Sequence, residues 1–192
     1  MRSVLPENAR LVPAEAKLVF KGVIYDTFQW PQKMYDGTIE TFEMLKRPDT
    51  VQVIAIKDNK IVVIEENQIG RGQFIGLPGG RHDRPSETEL DAAKRELAEE
   101  TGLVFNNWKL LAVMQPQSKI EHLIYHFLAT DFEREVPRHL DAGETIKVTL
   151  KTFDQVIKLV DDPRTRNLAK DILTNVPTLE QLVNLPEFTN LR

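Results

Sequence analysis

Residues 80–103 read GRHDRPSETELDAAKRELAEETGL. Leu90, Ala93 and Leu97 recur at three- and four-residue spacing, which predicts a helix with one buried stripe. Ser86 reads as its N-cap with Glu89 as capping-box partner, Glu87 lies near the positive end of the helix dipole, and Gly102 is placed to end the helix. The helix carries a second face. Glu96, Glu99 and Glu100 project within about a 100° arc, and like charges at that spacing disfavour an isolated helix. A hard divalent cation such as Mg²⁺ would offset them, since it takes oxygen ligands and leaves room for substrate phosphates. Solvated surface helices carry Glu runs too, so the helix alone leaves both readings open.

Upstream, NQIGRGQFIGLPGG holds more than half of the nine glycines, so the chain there needs unusual dihedrals or a close backbone approach. Pro78-Gly79-Gly80 leads straight towards the acidic helix, where bare backbone can approach a phosphate or offer a carbonyl to a metal. Before it, VQVIAI and IVVIEE flank the polar turn Lys57-Asp58-Asn59-Lys60 and read as core strands. Residues 17–30 and TIETFEML, separated by Asp36-Gly37, predict a small antiparallel sheet closed off by Pro31. Downstream, WKLLAVMQ, IEHLIYHFLAT and TIKVTL read as strands, with DFEREVPRHLDAGE as an acidic loop before the last. Asp162-Pro163 predicts a helix over 163–174, preceded by a shorter one at 153–160, and TLEQLVNLPEF predicts another turn or two. The expected fold is α/β, a mixed sheet covered by helices on both faces.

The 192 residues contain no cysteine, which excludes thiolate nucleophiles, iron–sulfur ligation and Cys-based zinc. The net charge of -4 comes from dispersed residues, against a dedicated nucleic-acid surface. No stretch approaches the roughly 18 apolar residues of a membrane span, and prolines interrupt the amino-terminal segment where a signal peptide would be apolar. Cytoplasmic location is the expectation. Walker-type, His-Glu-x-x-His and Gly-x-Ser-x-Gly patterns are absent from the sequence.

The stretch from Gly80 to Leu103 resembles the Nudix box of the Nudix hydrolases, with Glu87, Arg95, Glu96, Leu97, Glu99, Glu100, Gly102 and Leu103 at its fixed positions. One spacing departs: six residues rather than five separate Gly80 from Glu87, which predicts a bulged loop. The resemblance implies an α/β/α sandwich that hydrolyses a nucleoside diphosphate linked to another moiety, using Mg²⁺ or Mn²⁺. It implies Glu96 and Glu100 as principal metal ligands, Glu99 as an additional one, and the Gly79 carbonyl as a loop-side ligand. Arg95 would orient the carboxylates and Glu87 would stabilise the loop–helix junction.

Beyond the box the chain resembles the ADP-ribose pyrophosphatase branch. That implies an amino-terminal sheet over 1–49 that helps form a homodimer, a catalytic core over 50–160, and carboxy-terminal helices over 161–192. Pro116 and Glu121 match the branch's proline-led loop, and LDAGETIKV resembles the loop that supplies a general base, with Glu144 the first candidate and Glu121 the second. Where the branch often has a phosphate-gripping arginine, this chain has Gln68, so Arg71 or Arg81 would take over beside Gly80. Trp30 reads either as an adenine-stacking residue or as core packing. His122 and His126 share strand parity but lack a third zinc ligand, and His82 reads as a solvated loop residue or a phosphate contact. ADP-ribose or a related nucleoside diphosphate sugar is the implied substrate. A triphosphate pyrophosphohydrolase is the alternative, and a non-catalytic nucleotide-binding module a more distant one.

Overall fold

The computed structural model describes residues 2–70, 72–166 and 168–189. In chain order its elements are β1 (Lys17–Phe20), β2 (Asp26–Lys33), β3 (Ile39–Lys46), β4 (Asp49–Lys57), β5 (Lys60–Gln68), β6 (Gly72–Gly76), β7 (Arg81–His82), α1 (Glu89–Thr101), β8 (Leu103–Met114), β9 (Ile120–Glu121), β10 (Ile124–Glu135), β11 (Glu144–Lys151), α2 (Phe153–Leu159), α3 (Lys170–Leu173) and α4 (Leu179–Val183). A four-stranded sheet runs β1-β2-β3-β9, and a larger one runs β11-β5-β4-β10-β8 with β6 on β5 and β7 on β4. The larger sheet is mixed, because β10 pairs parallel to β4 and antiparallel to β8.

Period-2 alternation gives the larger sheet two apolar faces. Val51, Val53 and Ala55 of β4, with Tyr125, Phe127 and Ala129 of β10, pack with Ala92, Ala93 and Leu97 of α1. The intervening Ile54 and Leu128 pack with Phe153 and Val156 of α2, Leu173 of α3 and Leu182 of α4. Helices therefore cover both faces, as the alternating patterns predict.

The strand pair β4–β5 opens the molecule for a site. Asp58 and Asn59 both take the left-handed conformation of a tight hairpin turn, but β4 and β5 pair only beside it, at Ile56↔Ile61 and Lys57↔Lys60. Beyond that, β4 bonds instead to the glycine segment: Val53 N–H donates to Pro78 O and Val51 N–H to Gly80 O, each at 2.9 Å.

Four local expectations are corrected. The helix starts two residues later than Ser86 implies: Thr88 is the N-cap, with Asp91 completing the capping box. Ser86 lies in the preceding turn with φ of 64°, within the loop that carries the extra residue. The expected helix over 163–174 contracts to α3, because Asp162 caps a turn and the next residues bridge to β6 through Ile75 N–H to Arg164 O and Arg166 N–H to Ile75 O. Residues 131–135, expected in the acidic loop, extend β10, with Asp131 at a positive φ, Phe132 opposite Phe105 and the register shifting between Phe132 and Arg134. Pro31 lies inside β2, beyond the last residue paired to β1, where a missing N–H breaks no ladder bond.

Candidate active site

The apolar stripe of α1 anchors its acidic face towards the Pro78–Gly80 segment. A Cβ on Gly80 would overlap the Glu96 carboxylate, so only glycine lets this backbone and that side chain meet. Next to it, Gly79 N–H donates to Glu100 Oε2 at 2.8 Å. Arg95 ties the rest of the face together. Its guanidinium donates to both oxygens of Glu87, to Glu96 Oε1 at 2.6 Å, to Glu99 Oε2 at 3.1 Å and to the Arg81 carbonyl. Arg84 also pairs with Glu99 at 2.9 Å. The junction role expected for Glu87 has a geometric basis in this clamp, and the hydrogen bonds from Arg95 hold the Glu87 carboxyl below the usual carboxylate range.

Strand parity brings two more acids to the same place. Val62 of β5 and Val148 of β11 belong to the cluster under α1, so Ile64, Glu66 and Gln68, and likewise Ile146 and Glu144, face that side. The register sets Glu66 opposite Ile146 and Gln68 opposite Glu144, and Gln68 Nε2 donates to Glu144 Oε1 at 2.8 Å. Glu66 is buried at 4% exposure and does not figure in the family resemblance. The signal that could have found it is the alternation Val62, Ile64, Glu66.

Burial and neighbouring charge both act on the helix carboxylates. Burial pushes Glu100 well above its ordinary value; the Gly79 N–H pulls it back, and the charges of Glu96, Glu66 and Glu144 push it further up. Burial also raises Glu96, against the opposing pull of Arg95. These are hard oxygen donors crowded by like charge, a set whose chemistry fits Mg²⁺ or Mn²⁺ and not a soft metal. Among the described residues no three acidic or histidine side chains are yet gathered round one point, and Arg95 supplies the counter-charge to Glu96 and Glu99.

Other expected residues lie elsewhere. Both oxygens of Glu121 are engaged, Oε1 by Arg2 and Lys46 at 2.8 Å each and Oε2 by Val12 N–H at 2.6 Å. Trp30 packs on Phe42 across β2 and β3, with ring centroids 5.9 Å apart. The Arg81 side chain is largely exposed, 3.7 Å from Asp83. Arg71 lies outside the described residues. His82 Nε2 donates to the Glu87 carbonyl at 2.7 Å, bracing the bulged loop. His122 falls between β9 and β10 and shares a hydrogen bond with Thr50 Oγ1, whereas His126 is buried within β10. Burial lowers both imidazoles to about 4 and keeps them neutral. The parity argument for that pair assumed one continuous strand, which the break at 122–123 removes.

No curated protein matches the chain. The crystal structure of an ADP compounds hydrolase, 20% identical, superposes with a TM-score of 0.71 over 96% of this chain and 98% of that one, a likeness that shows the fold. The family model of the NUDIX domain matches residues 46–172, which contain every strand of the larger sheet and the whole of α1. With that match spanning well over half of its residues, the chain belongs to the Nudix family, hydrolases that generally work with a divalent cation.

Proposed function

We propose that this Nudix hydrolase cleaves the pyrophosphate bond of ADP-ribose or a closely related nucleoside diphosphate sugar, giving a nucleoside monophosphate and a sugar phosphate. The observation that carries the reading is the meeting of Glu96 and Glu100 with the Gly79–Gly80 backbone, beside a Glu144 that Gln68 holds by one oxygen. When bound there, Mg²⁺ or Mn²⁺ would neutralise the pyrophosphate and acidify the attacking water. Glu96, Glu99, Glu100 and the Gly79 carbonyl are the groups that would hold it. Water attacks one phosphorus, the bond from that phosphorus to the bridging oxygen breaks, and the bridging oxygen leaves with the other phosphate. Glu144 takes the water's proton, since Glu121 is committed to Arg2 and Lys46.

Gln68 is bonded to Glu144 and lacks charge, so phosphate grip passes to Arg81 or Arg71. The amino-terminal sheet supports the sugar reading and a homodimer. It exposes Leu18, Val19, Phe20 and Ile39, an apolar surface of the kind a second copy would cover, and Trp30 on that sheet would stack on the base. The near full-length likeness to a hydrolase of ADP compounds agrees with it. No helix among the described residues is long and apolar enough to cross a membrane, and a cytoplasmic location is part of the proposal.

The test is incubation with Mg²⁺ and ADP-ribose, GDP-mannose or nucleoside triphosphates, with products separated by ion-exchange chromatography. Monophosphate plus sugar phosphate is expected. Pyrophosphate release from triphosphates, with ADP-ribose untouched, would replace this reading by the pyrophosphohydrolase one.

A further inference from the structure

We propose that Arg84 serves two partners in turn: it is the counter-ion of Glu99 while the site lacks a divalent cation, and it passes to a substrate phosphate when a cation takes Glu99. The inference rests on the reading of the α1 acids as a divalent-cation site, and it adds Arg84 to the Arg81 or Arg71 proposed for phosphate grip. Its first support is that the chain itself engages both oxygens of Glu99. Arg84 Nη2 donates to Oε1 at 2.9 Å and Arg95 Nη1 to Oε2 at 3.1 Å. A cation that binds Glu99 must displace one of them. Arg95 is the fixed one, 13% exposed and held also by Glu87, Glu96 and the Arg81 carbonyl. The Arg84 side chain is 56% exposed, and among the described residues it donates to Glu99 alone. An ion pair so exposed holds little, so Arg84 is the one that leaves. The second support is the loop that carries it, which has one residue more than the Nudix spacing. That loop is pinned at both ends: His82 pairs with Asp49 across β7 and β4 and donates to the Glu87 carbonyl at 2.7 Å, while Arg95 clamps the Glu87 carboxylate. Between the pins, Ser86 at φ of 64° and the bond from Glu87 N–H to the Arg84 carbonyl turn the chain, which brings Arg84 back over the acidic face. The third support is charge. A pyrophosphate arriving with its cation brings negative charge to this face, where Gln68 is neutral and bonded to Glu144. A guanidinium freed from its carboxylate there is a planar fork matched to phosphate oxygens.

Arg84→Gln removes the charge at an exposed position. Mn²⁺ affinity is read by calorimetry without substrate, and KM and kcat for ADP-ribose are read at saturating Mn²⁺. The two readouts should move in opposite directions. Mn²⁺ should bind about two- to fivefold more tightly, because its competitor for Glu99 is gone. KM should rise about tenfold with kcat within a few-fold of wild type, the signature of a lost charge-assisted contact made equally in ground and transition states. Arg84→Lys keeps the charge without the fork, so it should return Mn²⁺ affinity to near wild type and leave KM raised. A role confined to bracing the loop would weaken Mn²⁺ binding in Arg84→Gln. Mn²⁺ affinity that is unchanged or weaker in that variant, or an unchanged KM, would overturn the proposal. A wild-type protein that binds no Mn²⁺ would overturn the cation reading and the exchange with it. A wild-type protein that binds Mn²⁺ but leaves ADP-ribose intact would overturn the substrate reading, and the Mn²⁺ affinity of Arg84→Gln would still decide the exchange at Glu99.

Discussion

Two groups of buried acids, one at the start of β4 and one at the acidic face of α1, are compensated in different ways. At the start of β4, Asp49 accepts two hydrogen bonds from Arg2 and one from Leu123 N–H, while Glu121 is met by Arg2, Lys46 and Val12 N–H. Burial pushes the Glu121 carboxyl up, but Lys46, the Val12 N–H and Arg2 prevail and leave it below its ordinary value. At the site, burial holds the Glu100 carboxyl high, the Gly79 N–H pulls it back, and the charges of Glu96, Glu66 and Glu144 add to the rise. Acids neutralised by the chain's own cations serve the fold. At the site Arg95 balances Glu96 and Glu99, and Glu100, raised first by its burial, is the carboxylate whose charge a bound cation would offset.

The largest expected effect that would break this division is on turnover. Glu100→Gln should lower kcat by about 10³-fold or more, because a holder of the charge-neutralising cation is worth several kcal/mol in the transition state. The fold should survive, as circular dichroism would show. Glu144→Gln should cost about 10²-fold or more and remove the acid limb of the kcat/KM profile, since a general base must be deprotonated to act. An acid limb that persisted in Glu144→Gln would transfer the base role elsewhere.

Glu121→Gln belongs to the other cluster and should behave differently. Removing one carboxylate of this buried group takes a partner from Arg2, which keeps Asp49, and from Lys46, so urea denaturation should report a loss of about 3 kcal/mol. Steady-state turnover should stay within a few-fold of wild type. A large loss of turnover without loss of stability would reinstate Glu121 as a site residue.

The smallest effect is the sharpest in sign. In chelator, the Glu100 contribution is fully present below its unfolded value near 4.5 and is lost as pH rises through its higher folded value. Glu121, lowered on folding, contributes above its unfolded value near 4.5, and that contribution is lost as pH falls through the folded value. Melting curves between about pH 3 and 8 should therefore show Glu100→Gln flattening the decline towards neutrality and Glu121→Gln flattening the decline towards acid. The same slope change in both variants would erase the distinction between the clusters.

The two clusters also differ in how far the sequence reveals them. The acidic face of α1 is written in consecutive turns of one helix, so Glu96, Glu99 and Glu100 are legible at once, and Arg95 with them. Glu66 needed a second periodicity, read along β5, whose importance emerges only once β11 and α1 are in place. The clasp at β4 has no local signal, because Arg2 meets Asp49 and Glu121 across 47 and 119 residues, and Ser3 meets Glu89 across 86. Fold class follows from strand alternation and the helix stripe, which are local. The missing helix after Asp162-Pro163 shows the limit of that reasoning, since the backbone bonds from Ile75 and Arg166 that displace it come from packing.

The central claim is that the crowded acids around Glu100 form a divalent-cation site that drives pyrophosphate hydrolysis. Its most direct test titrates Mn²⁺ into chelator-stripped protein while following, on the same sample, cation binding and the conversion of ADP-ribose. The account predicts no conversion at the start, a rise that follows cation occupancy, and loss of both in Glu100→Gln. Conversion at full rate in chelator, or full occupancy in Glu100→Gln with wild-type turnover, would contradict it.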